Sequence, residues 1–529
     1  MRDRPIMWGL FWAYMIGTSY LAWLGHKKTD SIESFAVGKG DMPPWVVGIT
    51  LAASVASAAT FVLNPGLVYV HGMSALLHLG VAGGLGVIIG LFALSFGFRR
   101  VGAKVRAITL PQWVGQRYGS RALALFFALV NLLSVTFMVL IVGGLGIVME
   151  FTLGLTYNEG VILIVAFVFG YIFVGGTYAH AYTNTLQGII MTFVALWIVS
   201  SGIPLLSDGI GPFADRIAAQ DPNLLKSLNP ASPLYGSMLT VWISGFIIGI
   251  ALVCQPHILT KALYVKTDRE VMRYLLVSTA VSIAFTALLL VGLFARAADI
   301  PPSAFLDPAT GLAKADNVVS IYINAMFGDV SRAFIAVALL SAGMSTLDGI
   351  LVALSTITAN DLFLNATERN ILAKYSPQQR SKIAHRAGQV ILVLLGATTL
   401  IISLKRPPLL SLFGQFGVFA LVTASAVPIL FGVFSKRLGA AGAMASSVVG
   451  LAVYGALFQW STSAAQAKVD LREFVNTEMS SLAWLFDMSM PQLGFYNPAV
   501  LATYGIVASF LVAFGFMAIA PTKAPAEQA

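Results

Sequence analysis

The sequence predicts an all-α polytopic membrane protein with 13 transmembrane helices, on three observations. Of its 529 residues, 57% are hydrophobic and 10% charged, where a soluble domain carries about 25% charge. Apolar runs of roughly 18 residues or more recur along the chain, each long enough to cross a hydrocarbon core of about 30 Å. The short alternating segments of a transmembrane barrel are absent, which leaves helices as the elements that can satisfy their own backbone in lipid.

In chain order the spans are expected at 6–24, 45–64, 73–98, 122–150, 159–176, 182–206, 236–258, 272–296, 332–360, 386–404, 408–434, 438–460 and 497–520. The first is followed by polar HKKTD and lacks a small-residue cleavage site, so it reads as a retained span and not a signal peptide. A net charge of +9 raises nucleic acid as a partner. The basic residues cluster in short loops between spans, however, so the partner they imply is the bilayer. With the N-terminus outside, about two thirds of the 32 Lys and Arg fall on the cytoplasmic side, Arg99, Arg100, Lys261 and Lys266 among them. The long segments 207–235, 297–331 and 461–496 then face outward. Cys254 is the only cysteine, so no intrachain disulfide can form.

Two spans carry similar interruptions. Span 2 runs through the small residues Ala52–Thr60 and ends in LNPG at Leu63–Gly66, and span 7 carries Gly245 and Gly249 before CQPH at Cys254–His257. Five helices separate them. A five-helix unit repeated twice takes opposite orientations in the membrane, and inverted repeats with discontinuous first helices build midplane substrate and ion sites in secondary transporters. Pro and Gly are also common in membrane helices generally, and spacing alone admits both readings.

SAGMSTLDG (Ser341–Gly349) lies inside the ninth span. Ser345 and Thr346 offer hydroxyls, and the carbonyl of Ala342, three and four residues earlier, can share their side of the helix. A hard monovalent cation needs such neutral oxygens. The same hydroxyls can instead bond back to carbonyls one turn earlier, or allow close helix packing.

Here the chain resembles the solute:sodium symporter family, whose members carry proline, pantothenate, monocarboxylates or sugars. The resemblance spans roughly residues 7–450 and rests on Ala53–Tyr69, Ile108–Arg121, Phe173–Gly188, Gln255–Leu259 and Ser341–Gly349. It implies Na⁺ as coupling ion, no organic cofactor, and a sodium site made by the carbonyls of Ala53, Ala56 and Ala342 with the hydroxyls of Ser345 and Thr346. It also implies five-plus-five inverted repeats. The units are then 1–44 (first span and loop), 45–206 (repeat one), 207–235 (outer loop), 236–434 (repeat two) and 435–529 (last two spans and a short tail). Many members have Trp-Thr-Asp-x-x-Gln where this chain has Tyr182, Thr183, Asn184 and Gln187. The lost acid, with no hydroxyl at Ala342, implies one sodium per cycle.

Charges inside spans are expensive and functional by default. Asp348 qualifies, and with Asn184 it is assigned to an ion exit path, a packing hydrogen bond being the alternative for Asp348. Glu150 is expected at the interface. Thr60, Phe61, Asn64, His78, Trp242, Phe246, Gln415 and Phe419 are the expected substrate lining. Aromatic and amide groups beside helix-break N–H groups suit a small solute with an apolar body and a carboxylate. Spans 7 and 8 are read as lacking an internal Lys, and span 3 as lacking a carboxylate or amide, which argues against a sugar or polyol carrier. A sensor is opposed by the short tail, an enzyme by the absence of HExxH, GxSxG in context or a nucleotide loop, and a channel by the absence of a filter signature. The site is expected in a bacterial plasma membrane protein; the oligomeric state is open.

Overall fold

The computed structural model describes residues 5–28, 32–307, 311, 313–367, 372, 374–407, 410–466 and 497–519. The outer segment expected at 461–496 and the C-terminal tail lie largely outside the described residues. The helices used below are α1 (Pro5–His26), α2 (Ile32–Val37), α3 (Pro44–Val55), α4 (Ala59–His71), α5 (Met73–Val105), α6 (Leu110–Tyr118) and α7 (Arg121–Leu153). They continue with α8 (Tyr157–Ile172), α9 (Gly176–Leu206), α10 (Leu239–Leu252), α11 (Pro256–Tyr264), α12 (Asp268–Ala297), α13 (Asp329–Leu364), α14 (Pro377–Leu404), α15 (Leu410–Phe434), α16 (Ala440–Gln466) and α17 (Pro498–Ile519).

Among the described residues 9 helices are long and apolar enough to cross a membrane, or 11 when each bent pair is one span. Two further helices stand where the sequence places spans. α1 is long enough, but Trp8, Trp12, Tyr14, Tyr20 and Trp23 dilute its aliphatic character. α8 is apolar and shorter.

The bent pairs are α3 with α4, at 55°, and α10 with α11, at 62°. The first break falls at Ala56 (φ −84°, ψ 86°), well before LNPG. Pro65 sits in the first turn of the α-helical stretch Asn64–His71, entered through a π-helical turn at Ala59–Leu63. Pro65 therefore lies inside the continuous helix α4, just after its π-helical turn, and span 2 continues to His71 and does not end at Pro65. Pro256 opens α11. That arm runs on to Tyr264, six residues past the expected end of span 7, and it carries Lys261, only 1% exposed. Lys261 therefore belongs to a broken span and not to the basic loop, and span 7 does hold an internal lysine.

α8 and α9 meet without the loop expected between residues 176 and 182. The turn is made by Gly176 at φ 63°, ψ −156°, a conformation essentially reserved for glycine. A Cβ there would also stand 2.5 Å from the Phe35 ring on α2. In α15, Pro428 removes the amide that would bond the Ala424 carbonyl one turn back. The Ser447 hydroxyl of α16 donates to that carbonyl at 2.7 Å, so no freed backbone group is left in a setting without water.

A membrane helix rich in hydroxyls and carrying a carboxylate lies at the centre. All of the apolar window of α13 is buried, against a third or so of that of α5, α14 or α16. It packs on α1, α3, α7 and α9. Its hydroxyls and carboxylate need partners that lipid cannot give, which is why this helix takes the middle. Large apolar side chains such as Ile16, Val390, Leu394, Phe193 and Phe514 are exposed on the outside. A surface of that kind suits hydrocarbon and not water.

Candidate functional site

Where α3 stops, its last carbonyls lose their helical donors. The hydroxyls of α13 take their place. Ser345 Oγ donates to the Ala53 carbonyl at 2.8 Å and lies 3.0 Å from the Ala342 carbonyl of its own helix. Thr346 Oγ1 donates to the Ser54 carbonyl at 3.0 Å and lies 3.5 Å from that of Ala53. Ala53, Ala342, Ser345 and Thr346 are all 0% exposed. Four of the five residues assigned from sequence are thus brought together around one point. The fifth, Ala56, is the residue at which α3 ends.

Asn184 of α9 closes the same point from the third side. Its Nδ2 donates to Ser54 Oγ at 3.1 Å and to the Ser345 carbonyl at 2.9 Å. Its Oδ1 is buried with no hydrogen-bond partner. The Ala53 and Ala342 carbonyls with the Ser345 and Thr346 hydroxyls are a donor set for a hard monovalent cation. Among the described residues no cluster of His, Cys, Asp and Glu could hold a divalent metal. The residues fit Na⁺.

One turn further along α13, Asp348 is fully buried and accepts hydrogen bonds from the Tyr171 hydroxyl and, at 3.2 Å, from Thr183 Oγ1. These bonds satisfy its oxygens in place. Gln187 Nε2 donates to the Tyr14 hydroxyl at 2.9 Å, and that hydroxyl donates to Met344 Sδ at 3.5 Å. Tyr171 and Tyr14 are not expected here from the sequence, and Thr183 and Gln187 enter there only as neighbours of Asn184 in the family motif. The spacing of Thr183, Asn184 and Gln187 places them on one helical side of α9, which is the signal that could have joined them. Glu150 pairs with Arg406 at 3.4 Å and is partly exposed.

The residues expected to line the substrate cavity are more dispersed. Thr60 and Phe61 lie on the π-helical turn just beyond the break, and Asn64 follows it. Phe61 is packed edge-on against Phe285 at 5.2 Å. His78 is buried, with Nδ1 3.2 Å from the Val241 carbonyl and its ring 5.0 Å from that of Tyr235. Trp242 and Phe246 line an apolar groove with Ala82, Leu85, Ile243 and Ile247. Leu85 and Ile243 are exposed, so this groove opens to the side of the bundle. Gln415 and Phe419 lie on α15, Phe419 buried.

A model of the sodium:solute symporter family matches residues 35–450. The chain is 26% identical over 462 residues to a sodium/pantothenate symporter of Haemophilus influenzae, covering 85% of this chain and 89% of that protein. It is 24% identical over 448 residues to a high-affinity proline transporter of Bacillus subtilis, with 82% and 88% covered. In fold it is similar to a solved Na⁺-coupled sialic acid symporter in a substrate-bound, outward-open state. That match has a TM-score of 0.73 at 16% identity and covers 98% of this chain and 99% of that one. The family match across the broken spans and the polar central helix places this chain in the sodium:solute symporter family.

Proposed function

We propose that this protein imports a small carboxylate-bearing solute, such as a proline-like amino acid, pantothenate or a short monocarboxylate, by sodium-coupled symport. One observation carries the reading: the carbonyls freed by the break after α3 converge with the Ser345 and Thr346 hydroxyls of α13. Na⁺ bound there is held by Ala53, Ala56, Ala342, Ser345 and Thr346. By bridging α3 to α13 it favours the arrangement in which the solute binds. The solute sits beyond the break, against Thr60, Phe61, Asn64 and His78, with Gln415 and Phe419 of α15 opposite and Trp242 and Phe246 at the flank. Inward opening then releases both, the ion leaving past Asn184 and Asp348. An inside-negative membrane drives the cation by about 2.3 kcal/mol per charge per 100 mV.

The reading extends to the architecture. Thirteen spans cross a bacterial plasma membrane, N-terminus out and C-terminus in. Residues 45–206 and 236–434 form inverted five-helix repeats, with 1–44, the outer loop 207–235 and 435–529 outside them. The two bent pairs, each opening its unit, support this division. Purified protein in liposomes, given labelled L-proline, pantothenate or pyruvate, is expected to accumulate one of them under an inward Na⁺ gradient and not under K⁺. Accumulation that is equal under both gradients overturns the coupling.

A further inference from the structure

Where α6, α7, α13 and α14 meet, at the end proposed to face the cytoplasm, they enclose an open cavity of about 540 Å³. Arg121 and Arg380 line it, with the amides of Gln112, Gln116, Asn360 and Asn365. Backbone carbonyls anchor both guanidiniums. Arg121 donates through one terminal nitrogen to the Asn365 carbonyl just past α13, and Arg380 Nε donates to the Tyr375 carbonyl at 2.9 Å. One carbonyl takes only one of the five N–H donors that Arg121 carries. Gln112 Oε1 accepts from the Ile108 amide at 2.9 Å, which leaves its NH₂ as the donating end. Among the described residues the lining holds one acid, Asp361, and its oxygens are already taken. Thr109 Oγ1 donates to Oδ2 at 2.6 Å and Asn360 Nδ2 to Oδ1 at 3.0 Å, and the residue is only 2% exposed. The wall that remains is positive and rich in donors.

An oxyanion answers such a wall, and guanidinium groups grip phosphate oxygens in pairs. The lipid-facing side chains of the same helices indicate where the rest of the ligand lies. On α7, Leu129 is exposed beyond Arg121, and on α14, Val390, Val393 and Leu394 are exposed beyond Arg380. Each helix therefore has a guanidinium near its end and hydrocarbon-facing surface about 12–15 Å deeper, the order of headgroup and acyl chain in one leaflet. Basic pockets between membrane helices on the cytoplasmic side suit anionic headgroups. We propose that this cavity seats the phosphodiester of an anionic phospholipid of the cytoplasmic leaflet, held between Arg121 and Arg380. The lipid ties α7 to α14 across the end of α13, the helix that carries Ser345 and Thr346. Only the choice of leaflet rests on the orientation proposed above; the headgroup site does not depend on sodium coupling.

The test is retention of tritiated dioleoylphosphatidylglycerol on the immobilised full-length protein in detergent, with dioleoylphosphatidylcholine measured alongside. The wild type is expected to hold phosphatidylglycerol at least tenfold more tightly, because the choline of the other lipid meets the same guanidiniums. Arg121→Gln with Arg380→Gln is expected to lose that preference. Gln116→Glu, which brings an acid to an exposed position of the wall, should weaken phosphatidylglycerol binding severalfold. Lys104→Gln, exposed at the end of α5 away from the cavity lining, should leave it unchanged. Equal binding of the two lipids by the wild type overturns the proposal without any variant. A preference lost equally in Lys104→Gln reduces the effect to general surface charge and also overturns it. Displacement of the lipid by millimolar inorganic phosphate makes the occupant a free anion and overturns the lipid as ligand. None of these outcomes touches the sodium site.

Discussion

Ser345 shows how one hydroxyl serves two purposes. It caps a carbonyl that the broken α3 cannot satisfy, and it presents an oxygen to the point where Na⁺ is proposed to bind. Ser345→Ala removes one neutral ligand and leaves the Ala53 carbonyl short of a donor. A loss near 1.4 kcal/mol corresponds to tenfold in affinity. The half-saturating Na⁺ concentration for uptake is therefore expected to rise about tenfold, with Thr346→Ala added to abolish sodium dependence. Asp316 offers a second test, outside the spans. Burial pushes its carboxyl above the usual carboxylate range, with Arg406 and the Leu410 amide pulling the other way. A carboxyl whose folded-state pKa is raised holds its proton more tightly when folded. Its ionisation therefore costs no stability below the unfolded pKa and the full penalty above the folded one. Asp316→Asn should raise the melting temperature at pH 7, with the gain shrinking as the pH falls through the carboxylate range. Ser345, Thr346 and Ala342 could be read from the sequence because hydroxyls in an apolar helix demand partners. Lys261 could not, since whether a lysine at the end of an apolar run is buried depends on how far past Pro256 the chain stays helical.

At the scale of elements, hydrophobic runs located almost every helix, but not the breaks. Proline drew attention to Pro65 and Pro256, and only the second opens the far arm of a bent pair at its break. The first bend lies in a stretch of Ala and Ser with no proline, where the hydroxyls of another helix compensate for the loss of helical bonds. That compensation is long-range, so a local reading of span 2 cannot reveal it. The Gly176 turn was missed for the opposite reason, being so compact that it leaves no polar loop to notice. Gly176→Ala forces a side chain into a glycine-only backbone region and against Phe35, costing about 1–3 kcal/mol, and should lower the melting temperature in detergent. Ser447→Ala leaves the Ala424 carbonyl without its donor beside Pro428. An expected cost of about 1–3 kcal/mol should appear in the same measurement, with Na⁺ affinity unchanged because the site lies on other helices.

For the whole molecule, composition alone established the membrane class, because no water-soluble core accounts for so little charge. The number and direction of the spans are a finer matter. Among the described residues nine helices are long and apolar enough to cross, 11 when each bent pair is one span, and α1 and α8 are the elements that separate 11 spans from the 13 expected. A reporter active only in the cytoplasm, fused after residue 529, is expected to be active. An inactive fusion, with a reporter at the N-terminus active instead, would reverse the orientation.

The contacts of α1 bear on how this architecture can be divided. α1 lies outside both of the proposed repeats, yet Tyr14 bonds Gln187 and Met344, and Gly25 is so close to Ala179 that a Cβ would sit 2.2 Å from its amide nitrogen. Gln187 lies on α9 and Met344 on α13, the two helices between which the ion is proposed to pass. The first helix is therefore a brace joining α9 to α13 and not an anchor added in front of them. A minimal ten-helix version built from the repeats alone would expose the amide of Gln187 to hydrocarbon at the very seam that has to open and close.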